Sequence, residues 1–130
     1  MEGRIVLDAS ALLAALFGEL GADFVEARIE RAIVSAVNLS EVGAKLCDRG
    51  LDKGDLEVLL ASLDLPVRVF DEAQAMLAAA LRCQTKRAGL SLGDRACLAL
   101  AISEGIPAVT TDRTWARLAP AIGVEVVLAR

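Results

Sequence analysis

The sequence contains no histidine among its 130 residues, and this absence excludes several kinds of active site. A serine or cysteine nucleophile activated by histidine, a histidine zinc ligand and a histidine acid–base pair are all impossible. The three cysteines, Cys47, Cys83 and Cys97, form no Cys-x-x-Cys pair, so neither a disulfide framework nor a zinc site is indicated. We expect them to be reduced, buried and apolar in role. Carboxylates, hydroxyls, lysine and arginine remain for chemistry.

Long apolar runs are also missing, although 55% of the residues are hydrophobic. No uninterrupted run exceeds seven residues, whereas a helix that spans a bilayer needs about 20. The start of the chain carries an acid where a signal peptide would be apolar, so we expect no membrane association, no export and a cytoplasmic location. The length suits one compact domain over residues 1–130.

Positive charge is scarce, since 14 lysines and arginines face 18 acids and the net charge is −4. Nucleic-acid binding rests mainly on lysine and arginine, so this chain would need a local basic patch or a bound cation to approach a polyanion. Arg82, Lys86 and Arg87 cluster near the end of a predicted helix and are the candidate nucleic-acid contacts. Positive charge at that position would also suit the helix dipole.

Short apolar strands alternate with amphipathic helices along the whole chain. Strands are predicted at 4–7, 33–36, 67–70, 108–111 and 125–128. Helices are predicted at 11–17, 22–32, 39–49, 55–62 with Asp55 as its cap, 71–88, 91–104, and 113–118 before a break at Pro120. This alternation predicts an α/β three-layer fold, in which helices cover both faces of a mainly parallel five-stranded sheet.

Four acids lie near predicted strand ends or helix starts: Asp8, Glu41, Asp94 and Asp112. Each could simply cap a helix, and the segments Asn38–Glu41 and Ser91–Asp94 both fit the capping-box pattern. However, Asp8 and Asp112 directly follow strands and Glu41 follows one closely. Because parallel strands end along one sheet edge, we expect these three side chains to converge. Asp94 follows a helix, so spacing alone does not place it.

Carboxylates gathered within a few ångströms repel one another unless a cation lies among them. Oxygen ligands without histidine or cysteine favour Mg²⁺ or Mn²⁺. Such an ion lowers the pKa of a bound water and stabilises the charge that develops in an in-line phosphoryl displacement. The expected chemistry is therefore phosphodiester hydrolysis.

Four motifs occur in order: Ile-Val-Leu-Asp8-Ala-Ser10, Asn38-Leu-Ser-Glu41-Val, Leu90-Ser-Leu-Gly-Asp94 and Val109-Thr-Thr-Asp112. Together they resemble the four-acid pattern of PIN-domain nucleases, and the full-length match resembles the VapC toxins. The resemblance implies a sheet with the strand order 3-2-1-4-5, which places Asp8 and Asp112 on adjacent strands. It also implies that Asp94 joins them.

The same resemblance implies roles for these residues. Asp8, Asp94 and Asp112 would be metal ligands, and Glu41 would be a ligand or hold a metal-bound water. Ser10 and Thr111 would orient the carboxylates, although strand-end or capping hydroxyls are an equally good interpretation. The implied activity is that of a Mg²⁺- or Mn²⁺-dependent endoribonuclease that cuts single-stranded RNA. The implied partners are a second copy of the chain and a VapB-like antitoxin, and the apolar excess of the helices also favours such interfaces.

Two other functions were considered. A phosphoaspartyl receiver or phosphatase-like domain would need a second acid beside the first strand and a lysine after a late strand, and neither is present around Asp8 or Asp112. A non-catalytic interaction module would use its acids only as helix caps, and the presence of all four acids argues against it. Core packing is the expected role of the aromatic residues, which include Phe17, Phe24, Phe70 and Trp115.

Overall fold

The computed structural model describes residues 3–130 of the chain. Within them, the strands are β1 (Ile5–Leu7), β2 (Ala32–Ser35), β3 (Val67–Arg68), β4 (Ala108–Thr110) and β5 (Val126–Leu128). The α-helices are α1 (Ala9–Phe17), α2 (Ala22–Glu26), α3 (Ala36–Asp48), α4 (Lys53–Ser62), α5 (Glu72–Thr85), α6 (Leu92–Glu104) and α7 (Thr114–Ile122). Two 3₁₀ turns occupy Ile29–Arg31 and Lys86–Ala88.

The five strands form one sheet in the order β3-β2-β1-β4-β5, and every pairing is parallel. The central strand β1 lies between β2 and β4, with Val6 opposite Ile33 on one side and Leu7 opposite Val109 on the other. This arrangement confirms the expected parallel sheet and its strand order. It places the carboxyl ends of β1 and β4 side by side.

Helices cover both faces of the sheet because the strand side chains alternate between them. Ile5 and Leu7 pack into a core with residues of α1 and α3, while Val6 packs into a second core on the opposite face. That second core is formed largely by α6, whose segment 96–101 is buried throughout, together with α5 and α7. Trp115 is fully buried there, in agreement with its expected role.

Several helix boundaries differ from the sequence-based expectations, among them those of α4 and α7. The N-cap of α4 is Asp52 rather than Asp55, because Asp52 Oδ1 accepts the Asp55 backbone N–H at 2.9 Å. Helix α7 is not broken at Pro120 but continues to Ile122. The proline lies in the last turn, where its missing N–H removes one helical hydrogen bond, while Trp115 and Ile122 are anchored in the core.

The helix expected over 22–32 is also shorter than predicted, since α2 ends at Glu26 and a 3₁₀ turn leads into β2. The expectation for the cysteines holds only for Cys97, because Cys47 and Cys83 are exposed. Of the helices within residues 3–130, none is both long and apolar enough to cross a bilayer.

Candidate functional site

The carboxylate of Asp8 is held at the carboxyl end of β1, and only 4% of the residue is exposed. Its backbone N–H donates to Val109 O at 3.1 Å, which extends the pairing of β1 with β4 by one residue. Asp8 also caps α1, since Oδ1 accepts the Ala11 N–H at 2.8 Å. Asp8 therefore both caps a helix and places a carboxylate at the end of a strand.

Two hydroxyls hold the Asp8 carboxylate. Ser10 Oγ lies 2.7 Å from Oδ1, and the hydroxyl of Thr110 donates to Oδ2 at 2.5 Å. The same Thr110 oxygen accepts the backbone N–H of Asp112 at 3.0 Å, so it connects two of the four acids. Thr111 contributes its backbone N–H to Ser10 Oγ at 3.1 Å.

Thr110, which touches the carboxylate directly, was not among the residues predicted from the sequence. The two neighbouring threonines could not be distinguished without the register of β4 on β1. Because successive strand residues face opposite sides, a shift of one position decides which hydroxyl reaches Asp8.

Glu41 lies on α3, which begins three residues earlier than expected at its N-cap Ser35. The expected capping box from Asn38 to Glu41 is therefore wrong, because both residues lie inside the helix. Instead, Asn38 Nδ2 donates to Glu41 Oε1 at 2.9 Å and to Gly93 O at 3.0 Å. This amide connects α3 to the first turn of α6.

Asp94 lies in that first turn of α6. It forms a capping box with Ser91, since Asp94 Oδ2 accepts the Ser91 N–H at 2.9 Å and Ser91 Oγ accepts the Asp94 N–H at 3.1 Å. The preceding Gly93 is buried, and a Cβ at that position would overlap the Glu41 carboxylate. The Glu41 side chain of α3 therefore lies directly over Gly93, next to Asp94 in the sequence.

The electrostatics show that three of the acids lie near one another. The pKa of Asp8 is raised to about 6, mainly by burial and to a smaller extent by the charge of Asp94, against the opposing effect of its hydrogen bonds. Burial also raises the pKa of Glu41, again with a contribution from Asp94. The pKa of the buried Cys97 thiol is raised mainly by burial, and Asp8, Asp94 and Glu41 all add to that effect.

Asp112 is less closely associated with the other three acids. It is exposed, and its Oδ1 accepts the Thr114 N–H at 2.9 Å at the start of α7. It lines a cleft of about 430 Å³ with Leu20, Thr111, Arg113 and Arg130. Its backbone is tied to Asp8 through Thr110, while its side chain serves as a cap.

The chemistry of these side chains suits a hard divalent cation. Within residues 3–130 no salt bridge involves any of the four acids, and only Glu41 is partly compensated, by the nearby charge of Lys45. The donors are oxygens, which Mg²⁺ and Mn²⁺ prefer. No three acidic or thiol groups of this part of the chain are already gathered around one point. Each carboxylate instead accepts at least one hydrogen bond from a nearby N–H or hydroxyl donor.

The predicted basic group lies near the same edge. Arg82 is at the end of α5, and Lys86 and Arg87 occupy the 3₁₀ turn that leads toward α6 and Asp94. All three are exposed.

Comparison with protein families identifies the chain. The family model described as "PIN domain" matches residues 5–120. The chain belongs to the PIN-domain family. Comparison with curated proteins gives no match.

Several solved structures share the fold of this PIN domain. A DNA-bound VapBC complex from Salmonella typhimurium contains a chain with a TM-score of 0.76 and 18% identity, covering 99% of this chain and 100% of that one. A toxin–antitoxin complex from Klebsiella pneumoniae gives a TM-score of 0.77 at 19% identity, with 98% of each chain covered. VapBC-5 from Mycobacterium tuberculosis gives 0.64 at 26% identity, covering 98% of this chain and 99% of that one. The fold is therefore that of VapC-like PIN domains.

The raised pKa of Asp8 predicts a pH-dependent stability in the absence of divalent ions. Because the folded state holds this proton more tightly than the unfolded state, stability is highest below the ordinary pKa of 3.8 and falls as pH rises through about 6. The difference corresponds to about 3 kcal/mol for a group that is almost fully buried. Asp8→Asn removes the titration, so it should gain stability relative to the wild type as pH rises.

Denaturant unfolding in EDTA between about pH 4.5 and about pH 7.5 measures this difference. Asp52→Asn, which changes an exposed cap, controls for the loss of one negative charge. If the difference in free energy of unfolding between the wild type and Asp8→Asn stayed constant over this range, the prediction would be contradicted.

Proposed function

We propose that this PIN domain is a Mg²⁺- or Mn²⁺-dependent endoribonuclease that hydrolyses single-stranded RNA. We further propose that it acts in the cytoplasm as a VapC-like toxin held inactive by an antitoxin. The family and the fold support the nuclease class, and the following observations support the finer assignment.

The observation that carries the proposal is the burial of the Asp8 carboxylate next to further acids, with no basic side chain paired to it. A buried carboxylate close to like charges is destabilising unless a cation compensates. Asp94 raises the pKa of both Asp8 and Glu41, so its charge lies near both. Such an arrangement stabilises a fold poorly, but it suits the binding of a divalent ion.

Asp8, Asp94 and Asp112 would hold the ion, with Glu41 as a further ligand or as a contact through water. A bound divalent ion would lower the pKa of a water molecule and stabilise the charge that develops on the phosphate. The Thr110 and Ser10 hydroxyls hold the Asp8 oxygens in place before the ion binds, so binding would cost less side-chain entropy.

The other groups of the site would act on the substrate. Glu41 Oε2 has no hydrogen-bond donor within residues 3–130, so it is available to accept a proton from the attacking water. Arg82, Lys86 and Arg87 would bind phosphates of the RNA strand beside the acids. Arg113 and Arg130 line the same cleft as Asp112, and they would contact the RNA strand there.

RNA cleavage by the purified protein is the first test. We expect cleavage that depends on Mg²⁺ or Mn²⁺, stops with EDTA and resumes when the ion is restored, and we expect Asp8→Asn to reduce it by at least about a hundredfold. The products should carry 5′-phosphates and 3′-hydroxyls, because hydrolysis by water does not use the ribose 2′-hydroxyl. End-group analysis of a labelled single-stranded RNA measures both properties.

Asp52→Asn, prepared in the same way, should cleave like the wild type, which shows that removing an acid elsewhere does not reduce cleavage. A loss confined to Asp8→Asn excludes a contaminating nuclease. A 2′,3′-cyclic phosphate product would contradict the mechanism. A well-folded protein that cuts no RNA with either ion would favour the non-catalytic interaction module.

The basic group predicts a salt-dependent binding of RNA. The measurement uses an Asp8→Asn background, in which the RNA is not cut. In this background, Lys86→Gln with Arg87→Gln should weaken RNA binding at least about tenfold and reduce the slope of log affinity against log salt by about 1.4. Adding Arg82→Gln should extend both effects. The control is Arg4→Gln with Lys53→Gln, which removes the same charge at exposed positions away from this edge. Equal losses in the two double variants would show that only net charge matters.

Exposed apolar side chains support the proposed partners. Val58, Val67, Val69 and Met76 are at least 43% exposed, and an apolar cleft of about 420 Å³ lies between α3, α4 and β3. Such surface in a small domain is typical of interfaces. An antitoxin segment with arginine or lysine could also pair with the acids and thereby exclude the ion or the RNA.

We therefore expect the purified chain to sediment as a homodimer at micromolar concentration. We also expect an antitoxin encoded beside it to copurify and abolish cleavage. A strictly monomeric chain would contradict the first expectation, and full cleavage activity in the presence of bound antitoxin would contradict the second.

A further inference from the structure

Asn38 makes an unusual connection between the two helices that carry Glu41 and Asp94. It is 1% exposed, and both hydrogens of its amide are used, one toward Glu41 Oε1 and one toward Gly93 O. These bonds join a carboxylate of α3 to the backbone residue that precedes Asp94 on α6. The side chain therefore fixes one acid relative to the helix that carries the other.

Gly93 provides the space that this contact requires. It is buried in the first turn of α6 and its φ is not positive, so no backbone strain requires glycine there. A Cβ would instead overlap the carboxyl group of Glu41. The absence of a side chain at 93 allows the Glu41 carboxylate to lie directly against the start of α6.

Folding alone does not explain an asparagine at this position. Asparagine is a poor residue inside a helix, and the Asn38 Oδ1 atom is buried without a hydrogen-bond partner among the described residues. A buried acceptor without a partner is destabilising, so an apolar side chain of similar size would suit a purely structural role better. What the asparagine does supply is the pair of donors used by Glu41 and Gly93.

We propose that Asn38 is a positioning residue that, together with the space over Gly93, holds Glu41 Oε1 so that Oε2 faces the ion site. The inference rests on the proposed metal site. Asn38 itself contacts neither the ion nor the RNA, and it acts only through Glu41. Loss of such a supporting contact typically weakens metal binding by about 10- to 100-fold.

The packing can be tested without any metal by a double-mutant cycle in EDTA. Gly93→Ala should be about fivefold less favourable to the folding equilibrium constant in the wild type than in a Glu41→Ala background, because the new methyl group displaces the Glu41 carboxylate from Asn38. In a Glu41→Ala background the clash is absent, so the same change should be neutral or favourable. Gly43→Ala is the matched control, since its Cβ would meet only leucine carbons at ordinary distances of 3.7–3.8 Å. Equal effects of Gly93→Ala in the two backgrounds would overturn the packing argument.

The positioning role is tested by direct titration with Mn²⁺, followed by the electron paramagnetic resonance signal of the free ion. Asn38→Leu should weaken Mn²⁺ binding by about tenfold or more in the wild type, but by less than about twofold in a Glu41→Ala background. Gln74→Leu is the control, because it also removes a buried amide with an unpaired oxygen but lies on α5. It should leave the affinity unchanged. If Asn38→Leu does not fold, Asn38→Ala provides the same comparison.

The outcomes separate this inference from the proposed function. Unchanged Mn²⁺ affinity in Asn38→Leu, in a protein that still binds the ion and cuts RNA, would overturn the role of Asn38 and leave the nuclease intact. An equal loss in both backgrounds would also overturn it, because the amide would then act independently of Glu41. A wild-type protein that binds no Mn²⁺ would overturn the metal site and the positioning role together.

Discussion

The constraint on which the site depends is the burial of a carboxylate where β1 and β4 end side by side. Parallel pairing brings Asp8 to the end of the central strand, and the cap of α1 keeps its side chain over the sheet edge. Removing this group from water, together with the nearby charge of Asp94, raises its pKa to about 6. The surrounding hydroxyls offset part of this cost, and a bound cation would offset the rest.

The remaining acids are placed by three different means. Asp112 follows from the pairing of β4 with β1, since the Thr110 hydroxyl contacts both Asp8 and the Asp112 backbone. Asp94 comes from the first turn of a buried helix, and Glu41 is held against that turn by Asn38. The site therefore combines a sheet edge with a helix–helix contact, which explains why strand topology alone could not place all four acids.

Much of the architecture could be predicted from the sequence because it depends on local patterns. The alternation of short apolar strands with amphipathic helices was sufficient for the parallel sheet, and the motif resemblance supplied its order. The predictions that proved wrong concern features that depend on tertiary contacts. Pro120 remains helical because residues on both sides of it are anchored in the core, and Asn38 lies inside α3 because Ser35 caps that helix first. The choice between Thr110 and Thr111 depended on strand register, and the space above Gly93 depended on a contact between distant helices.

The central claim is that the acids of this edge bind a divalent cation. Thermal unfolding of the wild type in EDTA and at increasing Mg²⁺ or Mn²⁺ concentration tests it most directly, because a ligand that binds only the folded state raises the midpoint by an amount that grows with the logarithm of its concentration above the dissociation constant. We expect the midpoint to rise by several degrees at saturating ion and the rise to disappear in Asp8→Asn. Identical midpoints for the wild type with and without these ions would contradict the claim.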